Sequence, residues 1–132
     1  MAITKKSGRQ EIISAKVTWT FGDTDADIAV QGTYPAIDVP EGAVVVGGYL
    51  NITDATTATV DVSIGDGGST ARYASAVDGA TVALTALTVT GYVYTAADTI
   101  DVLIATADPA AAGTAELVVN YVVDGRAAFS QG

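Results

Sequence analysis

The chain of 132 residues has no cysteine and no histidine, one tryptophan, three prolines, and six basic residues against fifteen acidic ones. Without cysteine there is no disulfide, thiolate metal site or sulfur nucleophile. Folding in a reducing cytoplasm is open to it, and no other compartment is excluded. Without histidine there is no Ser-His-Asp triad, imidazole base or histidine-bound metal. Long apolar runs are missing too. The longest, residues 43–50, falls far short of the roughly 18 residues that argue for a membrane span. Residues 1–10 carry charges where a signal peptide needs an apolar stretch, so the expectation is a soluble protein or part of a soluble assembly.

What the chain does have is apolar residues in alternation. Hydrophobic residues make up 49% and charged ones 16%, which places the chain among packed domains, and its length suits one domain. Ala15, Val17, Trp19 and Phe21 alternate with Lys16, Thr18 and Thr20. The same period of two runs through residues 57–64, 99–105 and 114–123, and predicts strands with one face on a core. In 114–123 the second face, Glu116, Val118, Asn120 and Val122, is too apolar for free solvent. Less regular strands are expected at 28–32, 43–53 and 81–95, with turns at 40–42, 54–55, 65–68, 78–79 and 108–109. Pro109 and Gly113 leave room for one helical turn at most between Asp108 and Glu116. Seven or eight short strands at this spacing predict an all-β sandwich or barrel, organised as an arm over 1–12, a β domain over 13–125 and a tail over 126–132.

Charge is distributed unevenly. The first sixteen residues hold four of the six bases, Lys5, Lys6, Arg9 and Lys16, against one acid, Glu11; the remaining fourteen acids follow. A basic arm on an acidic body suits a protein surface, which includes a neighbouring copy. The arm contains no aromatic to stack on a base, and the acidic body opposes a phosphate backbone, so nucleic acid is not the expected partner. Strand positions filled with Thr, Ala and Val, with few lysines to guard edges, add to the case for assembly.

The motifs that could carry chemistry are weak. Asp23, Asp25 and Asp27 open like a calcium loop, but Ile28 replaces the required glycine and Tyr34 stands where the closing Glu belongs. A solvated acidic loop is the preferred reading, with a cation site of another geometry as the alternative. The run Gly65-Asp66-Gly67-Gly68-Ser69-Thr70 could cradle a phosphate through its amides, yet no Gly-Lys-Ser/Thr follows and Asp66 would repel the anion; a hairpin connection fits better. Paired carboxylates could act as acid and base, but twelve of the fifteen acids are Asp, most of them beside turn residues. No catalytic residue, metal ligand or cofactor is assigned. Tyr92 and Tyr94 share a face and are the best candidates for a sugar platform, while Trp19 belongs to the face of Val17 and Phe21 and is expected in the core.

Residues 60–73 (VDVSIGDGGSTARY), 87–92 (LTVTGY) and 118–126 (VVNYVVDGR) resemble the capsid decoration, or cement, proteins of tailed bacteriophages. That resemblance implies a jelly-roll-like antiparallel β-sandwich, often trimeric. It further implies a protein made in the host cytoplasm that binds the outside of the capsid and bridges shell subunits, with no catalytic motif. The expected partners are therefore the major capsid protein and further copies of the chain, a trimer being favoured, and neither nucleic acid nor membrane. Lys5, Lys6, Arg9 and Lys16 are the expected contacts. The alternative is a carbohydrate- or surface-binding sandwich module of a phage fibre or bacterial surface.

Overall fold

The computed structural model describes residues 11–23 and 25–123. Eight strands run in chain order: β1 (Ile13–Phe21), β2 (Gly32–Val39), β3 (Ala43–Asp54), β4 (Asp61–Gly65), β5 (Ala74–Asp78), β6 (Ala83–Ala86), β7 (Asp98–Ala105) and β8 (Gly113–Val123). They form two antiparallel sheets of four, ordered β1-β8-β3-β6 and β2-β7-β4-β5. The chain passes back and forth between the sheets, as in an eight-stranded jelly roll. The all-β sandwich expected from the alternation is what the chain forms.

The core lies between the sheets and follows directly from the period of two. From β1-β8-β3-β6 it receives Trp19, Phe21, Leu50, Ile52, Ala115, Leu117 and Val119; from the facing sheet, Val62, Ile64, Ile100, Val102 and Ile104. Most of these are completely buried. Each such aliphatic side chain contributes roughly 1.5–3 kcal/mol by leaving water, which must carry stability where no disulfide does. Trp19 and Phe21 meet edge to face at 6.1 Å.

Several boundaries differ from expectation. Residues 57–60 alternate but form no strand. They lie in the crossing from β3 in one sheet to β4 in the other, where Val60 is buried and its carbonyl accepts from Gly79 N–H. At 28–32 only Ile28 bridges to Phe21, and the strand itself runs over 32–39. Pro35 hides it from a propensity reading. The strand tolerates the proline because β2 is an edge, and it shifts register immediately afterwards. In 81–95 only Ala83–Ala86 pairs as a strand. Beyond it Leu87 enters the core and Val93 makes one bridge to Val44. Strand β5 was not anticipated. Among the described residues between Asp108 and Glu116 no helical turn forms.

Two glycines are required by close approach. A Cβ on Gly48, where φ is +133°, would stand 2.0 Å from the Val118 carbonyl oxygen in the bulge between β3 and β8. One on Gly65 would stand 2.1 Å from the Ser69 carbonyl oxygen.

Candidate functional site

Pairing register places the outward residues of β1-β8-β3-β6 in rows that run straight across four strands. One row reads Thr18, Glu116, Asn51, Leu84; the next, Lys16, Val118, Tyr49, Ala86. Farther along, Val122 stands opposite Val44, and Val44 bridges to Val93. Ile12, just before the Ile13–Tyr121 pair, and Val46, in the bulge, enlarge the same region. Leu84 is 60% exposed, Val93 52% and Val46 43%. The apolar second face expected for residues 114–123 thus contributes Val118 and Val122 to apolar patches on a mixed surface, which the polar row Ser14, Asn120 and Gly47 divides. Nothing among the described residues lies over it. An exposed apolar region of this kind, gathered on one face, marks a contact surface.

Its charges are few and internally matched. Lys16 Nζ is 3.2 Å from Glu116 Oε2, and Asn51 Nδ2 donates to Glu116 Oε1 at 3.2 Å. Hydrogen bonds from Asn51 and Lys16 hold the Glu116 carboxyl below the ordinary range. Lys16 is therefore outward and half exposed, as a contact residue must be, but its ammonium already has a carboxylate of its own chain. Lys5, Lys6 and Arg9 lie outside the described residues.

The opposite outer face is chemically unlike it. Asp38 on β2, Asp61 on β4 and Asp78 on β5 point away from the core, Asp101 on β7 is buried at 8% exposure, and none of these four strands carries Lys or Arg. Asp61 and Asp78 are direct cross-strand partners. Hydroxyl donors moderate the repulsion: Thr106 Oγ1 donates to Asp61, Thr99 Oγ1 to Asp101 at 2.5 Å and Thr81 Oγ1 to Asp78 at 2.7 Å. One broad face of the sandwich carries apolar patches and a matched ion pair, and the other carries aspartates and no base.

The most polar buried cluster sits in the hairpin connection between β4 and β5, where sequence reasoning saw only a turn. Asp66, 1% exposed, accepts from Arg72 Nε at 2.5 Å and Arg72 Nη2 at 3.2 Å. It also accepts from Tyr94 Oη at 2.8 Å and from the amides of Gly68 and Ser69 at 3.0 and 2.9 Å. Burial pushes its pKa up, and these five donors outweigh that and hold it below the usual value. Burial raises Tyr94, and the hydrogen bonds with Tyr73 and Asp66 raise it further. The Arg72 guanidinium also covers the Tyr92 ring, 3.7 Å from its centre. Five donors converge on the Asp66 carboxylate, so the cluster anchors the loop. The signal in the sequence was Arg72 itself, an isolated base six residues after a buried Asp.

The same cluster decides two other expectations. Tyr94 is 2% exposed with its hydroxyl bonded to Tyr73 and Asp66, and Tyr92 packs edge to face against it under Arg72, so the pair presents no sugar platform. The glycine-rich run is a hairpin connection, and Asp66 occupies the place an anion would need. As for the aspartate run, the Asp27 carboxylate accepts from Thr20 N–H at 3.0 Å and Thr20 Oγ1 at 3.3 Å, while Asp23 and Asp25 are exposed. Among the described residues no three acids converge on a common point.

No protein-family model matches this sequence, and no curated protein is significantly similar to it. Solved structures are similar in fold. A chain of the cyanophage Pam1 capsid asymmetric unit is 23% identical, with 93% of this chain and 92% of that chain covered at a TM-score of 0.69. A chain of the Ralstonia phage GP4 capsid is 16% identical, covering 93% and 91% at 0.65. One from the acid-stable capsid of Helicobacter pylori bacteriophage KHP30 is 21% identical, covering 86% and 93% at 0.61. At these identities the likeness is one of fold, extending over nearly the whole of each chain.

Proposed function

We propose that this chain is a structural protein of a phage virion that binds the outside of the capsid and bridges shell subunits, docking through the outer face of β1-β8-β3-β6. The observation that carries this reading is the contrast between the two broad faces: Val44, Val46, Tyr49, Leu84, Val93, Val118 and Val122 form apolar patches on one, and Asp38, Asp61 and Asp78 stand on the other. An apolar sheet face gains by burial against a partner at roughly 25 cal/mol per Å², whereas an anionic face favours water and keeps assembled particles apart. The fold shared with chains of three phage capsids supports the same reading. So does the nature of the polar cluster around Asp66, which is built for rigidity.

The shell protein and further copies of this chain, three being the favoured number, are the proposed partners. The basic residues of the arm, Lys5, Lys6 and Arg9, add attachment to carboxylates on a neighbour. Lys16 contributes at the rim of the apolar face while remaining bound to Glu116. Exposed ion pairs contribute about 1 kcal/mol or less each, so the apolar face and repetition on the lattice supply most of the affinity. The test is cosedimentation with phage heads stripped of this chain, with thermal stability of the heads measured alongside. Binding that raises their stability is expected. Failure to bind heads refutes the proposal.

A further inference from the structure

Strand β1 is an edge of its sheet, and among the described residues its outer side is open from Ser14 to Thr18. Thr20 shows which residues face outward, because its N–H meets the Asp27 carboxylate and its carbonyl accepts from Ile28 N–H, both away from β8. Backbone direction alternates along an antiparallel strand, so Ser14, Lys16 and Thr18 point their N–H and C=O groups the same way. Among the described residues nothing pairs with them. The edge is straight: from Ile13–Tyr121 to Phe21–Gly113 the register runs without a bulge, and the strand contains no proline. Such an edge is a template for another strand.

Directly below the edge, between β1 and β2, the sandwich opens into a cleft of about 270 Å³ lined by Val17, Trp19, Ile28, Tyr34, Ala36 and Val102, among others. Trp19 carries the one buried side-chain polar atom that has no hydrogen-bond partner among the described residues, its indole Nε1. Asp27 lines the cleft as well, with Asp23 and Asp25 exposed in the same loop. An open edge, an apolar cleft and an acidic loop lie together.

We infer that this edge and cleft receive the basic arm, residues 1–10, of a neighbouring copy as an added strand. The arm supplies complements to all three: backbone groups for the edge, Met1 and Ile3 as apolar side chains for the cleft, and Lys5, Lys6 and Arg9 for the acidic loop. Extended at about 3.3 Å per residue, ten residues reach well beyond the Ser14–Thr18 edge. Direct pairing of two β1 edges is disfavoured, because an edge centred on Lys16 would set the two lysines opposite each other. The arrangement links copies to one another and does not depend on the capsid.

Hydrogen exchange of the Ser14, Lys16 and Thr18 amides in the full chain, at high and low protein concentration, tests it. Protection of about tenfold or more at high concentration, lost on dilution, is expected, and so is its loss in the K5E/K6E/R9E variant at high concentration. Protection unchanged by dilution would mean that each arm folds onto its own edge. Absence of protection at both concentrations, or protection that survives the charge reversal, would mean that the arm of another copy is not the occupant. Each of these results overturns the inference, and none bears on binding to heads, which is measured separately.

Discussion

Lys16 Nζ stands 3.2 Å from Glu116 Oε2 across the seam between β1 and β8, so one of the four basic residues expected to meet a partner is matched within its own chain. The pair lies in solvent at the margin of the apolar face. Replacing Lys16 by Ala is expected to shift the melting temperature by about 2 °C or less, since exposed pairs contribute little. Attachment to heads should weaken less in K16A than in the K5E/K6E/R9E variant, whose charges lie in the arm.

Asp66 is the opposite case. Removing its carboxylate leaves Arg72, Tyr94 and two amides without an acceptor in a buried place, and D66A is expected to lose about 3 kcal/mol, read from the urea midpoint. Y94F removes one hydroxyl and should lose about 1–2 kcal/mol. Equal and negligible losses in both would show that the cluster does not hold the loop.

The acid side of the stability profile follows from the same carboxylate. Asp66, Asp78 and Glu116 are all held below their ordinary values of 3.8, 3.8 and 4.5. A depressed carboxylate stabilises the fold above its unfolded value, and that stability disappears as pH falls through the lower folded value. Melting temperature should be flat from neutral pH to about pH 5 and fall below about pH 4, with a shallower fall in D66A. Tyr73 and Tyr94 are raised above their ordinary value of 10.0, so a second decline should begin near pH 10, where the unfolded chain ionises first.

Much of this architecture was legible because alternation reports burial directly: β1 and β7 read as apolar inward, and in β8 Val118 and Val122 announced a second apolar face beside the inward Leu117, Val119 and Tyr121. The same signal misled at residues 57–60, where a chain crossing between sheets buries alternate residues without a ladder partner. It was silent at β2, where Pro35 and a register shift break the pattern at an edge, and at β5, where Val77 is the lone large aliphatic in five residues. The polar cluster was harder to see, because Asp66, Arg72 and Tyr94 lie 6 and 28 residues apart and meet only once the hairpin folds back beside residues 92–94. The apolar sheet surface needed register: Tyr49, Ala86 and Val118 form one row only when three strands are aligned.

Gly48 offers a sharp test of that register. With φ at +133° and the Val118 carbonyl 2.0 Å from any added Cβ, G48A must push β3 away from β8 at the centre of the apolar sheet. The variant is expected to melt at least about 10 °C lower than the parent or fail to fold, whereas G91A, with open space around it and φ at +76°, should cost only the backbone strain of about 1 kcal/mol.

The central claim is that the outer face of β1-β8-β3-β6 holds this chain on a phage shell. Cosedimentation with stripped heads should compare the parent chain, a Y49E/V118E variant of the apolar face and a D38N/D61N variant of the anionic face, with folding of each verified by circular dichroism. The parent and D38N/D61N are expected to bind alike while Y49E/V118E loses affinity by about tenfold or more, the equivalent of roughly 1.4 kcal/mol. Full binding by Y49E/V118E, or no binding by the parent chain, would contradict it.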